Sequence, residues 1–289
     1  MSWKPEIDEL NRRKQFAYGH GGPEGVRRQH EAGRLTARER IELLIDKGSW
    51  NEFGVLTGKG EYDENGELKS VRPSNAIIGT ARIDGRKISI DADDYTIRGG
   101  SSEATVSEKW IYAENYALEM RMPLIRLVES AGGSVRLVEQ QGSTKIPGYP
   151  TWPMVGLLGY IPVVGLALGP CAGLGALKAA CAHFSIMVKG TSQVFAGGPP
   201  VVERGVGSQV DKEELGGSQM HTRQSGVIDN EVESEAEGFA LARKFLSDIP
   251  DSGVKLPPRS DASDPRERRE EALLSVIPLI ALFLTLQRY

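Results

Sequence analysis

The chain has 289 residues, 39% hydrophobic and 26% charged, and 35 Lys+Arg against 39 Asp+Glu leave a net charge of −4. With a mean hydropathy of −0.30, that composition excludes a membrane-embedded or disordered chain, argues against a dedicated nucleic-acid binder, and suffices for one large domain or two ordinary ones. Two cysteines, Cys171 and Cys181, cannot build a disulfide framework and point to a reducing, cytoplasmic compartment, and residues 1–9 lack an apolar secretory segment.

The first fifty residues are predicted helical. Pro23 suits a first helical position, and Thr36-Ala-Arg-Glu39 fits a capping box ahead of Ile41, Leu43 and Leu44. Residues 76–83 and 87–91 then flank Asp84-Gly85, a pair that favours the positive φ angles of a type I′ hairpin. From Asp93 onward the pattern becomes strand, glycine turn, helix. Gly99-Gly100-Ser101 opens a helix predicted over 102–122 and halted by Pro123; 124–128 reads as a strand, followed by Ser130-Ala-Gly-Gly-Ser134. After a Gly/Pro-rich passage at 140–153 come a strand over 162–168, the turn Gly169-Pro-Cys-Ala-Gly-Leu-Gly175 and a small-residue helix through Ala182. A strand at 184–188 and the turn Ala196-Gly-Gly-Pro-Pro200 complete the series. Strands that are apolar end to end, alternating with helices, predict an α/β fold whose largely parallel sheet is covered on both faces. No repeat of fixed period occurs. A charge run at 264–271 precedes an apolar run at 279–286, far shorter than the ~20 residues of a membrane span.

Glycine occurs 34 times, about 12% against a usual ~7%, and clusters at the carboxyl ends of these strands, where open α/β sheets bind ligands. Backbone that approaches closely there lets successive N–H groups meet at one point, and two amides aimed at a carbonyl oxygen form an oxyanion hole. Gly132-Gly133 and Gly173-Leu-Gly175 carry that reading, against the plainer one that glycine merely closes tight turns. Neither run matches a nucleotide phosphate loop. Cys171 reads as a small buried hydrophobe rather than a nucleophile. Glu129 and Glu139, a tempting acid–base pair, read as solvated carboxylates, and Lys178 and Lys189 as solvated rather than phosphate-binding. Asp93-Asp94 is placed to cap the turn at Gly99-Gly100. His20, His30, His183 and His221 show no metal-ligand spacing, so no metal site is expected.

Several strings resemble the carboxyltransferase (β) subunit of biotin-dependent acyl-CoA carboxylases of the propionyl-CoA and methylcrotonyl-CoA type. They are Gly33-Arg-Leu-Thr-Ala-Arg-Glu-Arg-Ile41, Asp93-Asp-Tyr-Thr-Ile-Arg-Gly-Gly-Ser101, Gly169-Pro-Cys-Ala-Gly173, Met187-Val-Lys-Gly-Thr-Ser-Gln-Val-Phe195, Glu214-Leu-Gly-Gly-Ser-Gln-Met-His-Thr222 and Ser225-Gly-Val227. The resemblance runs in order from about residue 25 to 278 and is with the amino-terminal half of that subunit.

It implies a crotonase/ClpP-like spiral of ββα units with amino-terminal helices. The divisions expected are a helical segment at 1–50, an acyl-CoA-binding unit at 51–260, and a charged linker and apolar tail at 261–289, where the family's second half would begin. It also implies an enzyme component that moves CO2 from carboxybiotin to the α-carbon of an acyl-CoA, the enolate being held by backbone amides. Biotin would come on a biotin carboxylase/biotin carboxyl carrier partner. A homo-oligomer, or a partner supplying the other half, is expected, with neither nucleic acid nor membrane as partner. Carried over residue by residue, the oxyanion role falls to Gly132 and Gly133, with Gly173 and Gly175 in support. Gly99, Gly100, Ser101, Ala131 and Ala172 would line the substrate site. The family usually has Ser-Gly-Gly-Ala where this chain has Ser130-Ala131-Gly132-Gly133, so without a gap Ala131 and Gly132 fall on its glycines. Kept beside this reading are an acyl-CoA decarboxylase α subunit, a crotonase-type hydratase or isomerase, and a non-catalytic truncated remnant.

Overall fold

The computed structural model describes residues 2–104, 106–142, 151–257, 263 and 265–276. Three helices come first, α1 (Lys4–Tyr18), α2 (Pro23–Glu31) and α3 (Ala37–Leu44). Pro23 begins α2. The capping box at α3 forms as the sequence predicts, the Glu39 amide donating to Thr36 Oγ1 (3.4 Å) and the Thr36 amide to the Glu39 carboxylate (2.7 Å).

Strands β1 (Asn51–Phe53), β2 (Gly58–Tyr62), β3 (Leu68–Pro73), β4 (Ala76–Ile83) and β5 (Arg86–Asp93) follow. β2 and β3 pair only with each other, whereas β4 and β5 form the expected hairpin, Asp84 and Gly85 both at positive φ (50° and 79°). Beyond it lie α4 (Ser107–Glu119), β6 (Leu124–Ser130), α5 (Val135–Gln141), β7 (Val163–Ala172), α6 (Leu174–Ala180), β8 (Phe184–Val188), β9 (Gln193–Phe195), α7 (Pro199–Val206), α8 (Lys212–Gly216), β10 (Asn230–Val232) and α9 (Glu235–Asp248).

The main sheet has the order β1-β4-β5-β6-β7-β8-β10, with β9 alongside the far end of β7. From β5 to β10 every pairing is parallel, as apolar strands separated by helices require. Two expectations need correction. The helix predicted from 102 starts only at Ser107, because the preceding residues brace turns: the Ser102 amide donates to the Gly132 carbonyl (3.0 Å) and the Ala104 amide to the Ser101 carbonyl (3.2 Å). β7 runs on through Ala172 instead of ending at 168, since Pro170, Cys171 and Ala172 pair with β9.

Alternate residues of each strand face opposite layers. Ile88, Ile90, Ile125, Leu127, Val164 and Leu166 face α3 and α9, which supply Ile41, Leu44, Phe239, Ala242 and Leu246. On the other face, Val128, Ala167 and Met187 pack with Ala179 of α6, and Leu124 and Val163 with Ala117 of α4. No helix of the described residues is long and apolar enough to cross a membrane. The passage at 143–150 and the apolar run at 279–286 lie outside the described residues. Thr36→Ala, which deletes the cap of α3, is expected to lower unfolding free energy by about 1 kcal/mol, read as a shift of the urea midpoint at unchanged slope.

Candidate functional site

The glycine turns after β5, β6 and β7 meet at one end of the sheet. Gly99 lies against the Ala131 side chain, Gly132 against the Ala172 carbonyl, and Gly175 against Ser130. Ser101, expected to line the site, is buried and its carbonyl accepts from Asn75 Nδ2 (2.8 Å), so it supports the turn from below. Arg98, Gly99 and Gly100 are successively left-handed, with φ of 54°, 63° and 62°. Gly100 has no alternative residue: a Cβ there would lie 2.4 Å from the Glu129 carbonyl oxygen.

The hydrogen bonds of these turns decide which amides are open to a ligand. The Ala131 amide donates to the Gly99 carbonyl (2.8 Å), the Gly132 amide to Ser130 Oγ (3.1 Å), and the Ser134 amide to Ser102 Oγ (2.9 Å). Gly133, exposed at the tip, has no acceptor for its amide among the described residues. At the neighbouring turn the Gly173 amide donates to the Phe195 carbonyl (3.1 Å), while those of Leu174, Gly175 and Ala176 head α6, where no intrahelical acceptor exists and no side chain caps them. Of the four backbone donors expected from sequence, Gly132 and Gly173 are therefore bonded within the chain in this conformation. Gly133 and Gly175 are open.

Beneath the turns lies a buried network that the sequence reading missed. Glu129 is fully buried, not solvated: its carboxylate meets Arg40 (2.5 Å), Arg34 (3.0 Å) and the Gln29 amide (2.7 Å). Arg40, equally buried, also holds Glu235 of α9 (2.8 Å) and the Leu168 carbonyl (2.9 Å). Burial pushes the Glu129 carboxyl above its ordinary range against the pull of Arg40 and Arg34. Gly169 leaves room for that carboxylate, since a Cβ there would fall 2.4 Å from Glu129 Oε1. On the opposite face Lys178, also buried rather than solvated, pairs with Asp91 (2.8 Å) and Asp93 (3.0 Å). Lys189, by contrast, is at the surface with Glu233 (2.8 Å), as expected. Cys171 is buried as the sequence suggests, and desolvation raises its thiol well above the ordinary value, so it carries no thiolate chemistry.

Beside Gly99 opens a cavity of about 940 Å³ between the α1–α2 loop, α2, β3 and residues 95–99. Its walls carry Arg28, Arg34, Arg72 and Arg98. Arg34 lies over the Tyr95 ring (5.3 Å), and Arg72 and Arg98 share Glu103 (3.8 and 3.5 Å). Among the described residues Arg28 forms no ion pair, and no group of three or more His, Cys, Asp or Glu is placed to hold a metal ion. Sequence spacing gives no sign of this cavity, because its walls come from three separate stretches, 15–34, 71–73 and 95–99.

Residues 28–281 match the carboxyl transferase domain. The chain belongs to that family. It is 32% identical over 277 residues to the propionyl-CoA carboxylase beta chain of Roseobacter denitrificans, covering 95% of this chain and 54% of that one. It is 30% identical over 275 residues to the methylmalonyl-CoA decarboxylase subunit alpha of Veillonella parvula, covering 94% and 53%. Among solved structures, the transcarboxylase 12S hexamer with methylmalonyl-coenzyme A and methylmalonic acid bound superposes with a TM-score of 0.78 at 27% identity, over 96% of this chain and 53% of that one. The chain has the crotonase-like fold of those structures, and it spans about half the length of the curated relatives it matches.

Burial, with Asp91 alongside and Lys178 opposing, raises the Asp93 carboxyl from 3.8 to about 6. Between those values the folded chain holds a proton that the unfolded chain releases, so this group favours folding most at low pH and that stabilisation is lost as pH rises through about 6. Relative to Asp93→Asn, which lacks the titration, the wild type is expected to lose stability between about pH 4 and 6 in urea melts. Parallel pH profiles for the two proteins would contradict the assignment.

Proposed function

We propose that this chain is the acyl-CoA-binding part of a biotin-dependent acyl-CoA carboxyltransferase. The observation that carries the reading is the Gly133 amide, without an acceptor among the described residues, on a β6 turn that packs against the turns after β5 and β7, the first of which lines the arginine-rich cavity through Gly99. Arg28, Arg34, Arg72 and Arg98 would take the phosphates of the CoA, and the thioester would reach past Gly99 to Gly133. As the α-proton leaves, negative charge grows on the thioester oxygen. The Gly133 amide, with the Leu174 and Gly175 amides at the start of α6, would stabilise that enolate, each donor contributing about 3–4 kcal/mol in comparable sites.

The residues beneath the turns fit a reaction whose base comes from outside the chain. Glu129 and Asp93, the carboxylates at the ends of β6 and β5, are buried and held by Arg40 and Lys178, so neither is offered to a substrate. A biotinyl group carried by a partner would supply CO2 and accept the α-proton. That arrangement disfavours a hydratase or isomerase, which needs two poised carboxylates. We further propose a carboxylase partner with biotin carboxylase and biotin carboxyl carrier parts, a homo-oligomer or a companion chain providing the remaining half of the fold, and residues 51–260 as the unit that carries the thioester donors, with residues 15–34 completing the cavity for the phosphates. The Veillonella relative favours a second reading, decarboxylation of a malonyl-type CoA thioester by the same backbone donors run in reverse.

Coenzyme A and propionyl-CoA are expected to raise the thermal midpoint of the chain in proportion to the logarithm of ligand concentration above Kd, with no turnover on free biotin. A flat titration would refute the proposal. In the assembled carboxyltransferase, Gly133→Pro, which removes the amide, is expected to lower kcat about 10²–10³-fold with thioester affinity retained.

A further inference from the structure

We infer that His20, held in place by Asp94, is a ligand-contacting side chain of the arginine-lined cavity and donates a hydrogen bond from Nε2 to a phosphoryl group of the bound thioester's nucleotide end. The inference rests on the reading of the chain as an acyl-CoA binder. His20 sits between α1 and α2 with φ of 52°, a left-handed conformation uncommon for any residue but glycine. Four non-glycine residues among those described adopt positive φ: His20, Asp84, Arg98 and Arg121. Asp84 belongs to the β4–β5 hairpin, and Arg121 and His20 each stand just past a helix C-terminus, of α4 and α1, where such geometry terminates an element. That turn brings His20 onto the wall of the cavity, which Arg98 also lines.

The loop that carries His20 is fixed independently of its ring. The Gly22 amide donates to the Gly19 carbonyl (2.9 Å) and the Gly21 amide to Thr96 Oγ1 (2.9 Å). Asp94 Oδ1 accepts from the Thr96 amide (3.0 Å) and hydroxyl (2.6 Å), and Oδ2 meets His20 Nδ1 at 2.6 Å. With Nδ1 taken and the side chain only 11% exposed, Nε2 on the opposite edge of the ring is the polar atom left to the cavity, and it has no partner among the described residues. The cavity's charges favour an anion. Glu103 is engaged by Arg72 and Arg98, Glu129 by Arg34 and Arg40, and Asp94 by His20, while Arg28 is in no ion pair among the described residues.

Asn and Gln substitutions separate ligand contact from loop support. Asn tolerates the left-handed conformation and places an amide nitrogen where Nδ1 lies, so His20→Asn keeps the Asp94 contact and loses Nε2. His20→Gln extends an amide towards the Nε2 position. The experiment is calorimetric titration of the folded wild type and both variants with CoA, dephospho-CoA and pantetheine. The expected result is an affinity for CoA about tenfold lower in His20→Asn and partly restored in His20→Gln, with pantetheine binding unchanged throughout. Loss confined to CoA assigns the contact to the 3′-phosphate, and loss shared with dephospho-CoA assigns it to the pyrophosphate; both support the inference. Wild-type affinity for CoA in His20→Asn, or an equal loss with pantetheine, overturns it while leaving the proposed function standing. Absence of CoA binding in the wild type overturns both.

Discussion

The contact on which the site depends is the buried ion pair between Arg40 and Glu129. An isolated charge in a protein interior costs several kcal/mol, and removing one partner of a buried pair typically costs about 3–5 kcal/mol. In this chain that penalty is offset by near-complete satisfaction: Glu129 meets Arg40, Arg34 and Gln29, and Arg40 meets Glu235 and the Leu168 carbonyl as well. One carboxylate at the end of β6 thereby fixes α2, α3, β7 and α9 relative to one another. The glycines around it follow from this. Gly169 is bare because the carboxylate passes over it, and Gly100 because the Glu129 carbonyl does.

Both faces of the sheet end in such networks. On the α4–α6 side, Lys178 bridges Asp91 and Asp93, Arg126 binds Glu114 (2.8 Å), and Asp93 reaches the Glu129 amide (3.3 Å) from below. The turns that carry Gly133 and Gly175 thus sit between two layers of locked charge. A site that works through backbone amides gains from this arrangement, since donors contribute to transition-state binding only as far as they are held in place beforehand. Side-chain acids and bases, absent from residues 130–134 and 173–175, are used instead to hold the backbone.

Local features of the sequence were legible because their causes are local. The capping box of α3 needs only Thr36 and Glu39, the β4–β5 hairpin only Asp84-Gly85, and β8 only a run of apolar residues between polar ones. The turns after β5, β6 and β7 were legible for the same reason, and so was their common location, which parallel topology dictates. What could not be read was pairing at a distance. Glu129 looks like a surface carboxylate until Arg40, 89 residues earlier, is brought against it, and Lys178 looks solvated until Asp93, 85 residues earlier, is. Which of the neighbouring amides are bonded within the chain was hidden for the same reason. Gly132 and Gly173 differ from Gly133 and Gly175 only in the acceptors that Ser130 and Phe195 supply, and no glycine pattern records those bonds.

If the Glu129 carboxylate sets the geometry of the donors, weakening its charge should loosen the turns before anything else. Hydrogen–deuterium exchange of Glu129→Gln against the wild type measures this directly, since the amides of Ser102, Ala131, Gly132 and Ser134 are all bonded within the turns. Exchange about tenfold faster or more is expected at residues 98–104 and 130–134, with the β4–β5 hairpin as protected as before. Unchanged protection of those turns in a folded variant would show that they hold themselves, and that the buried pair does not set the geometry of the donors.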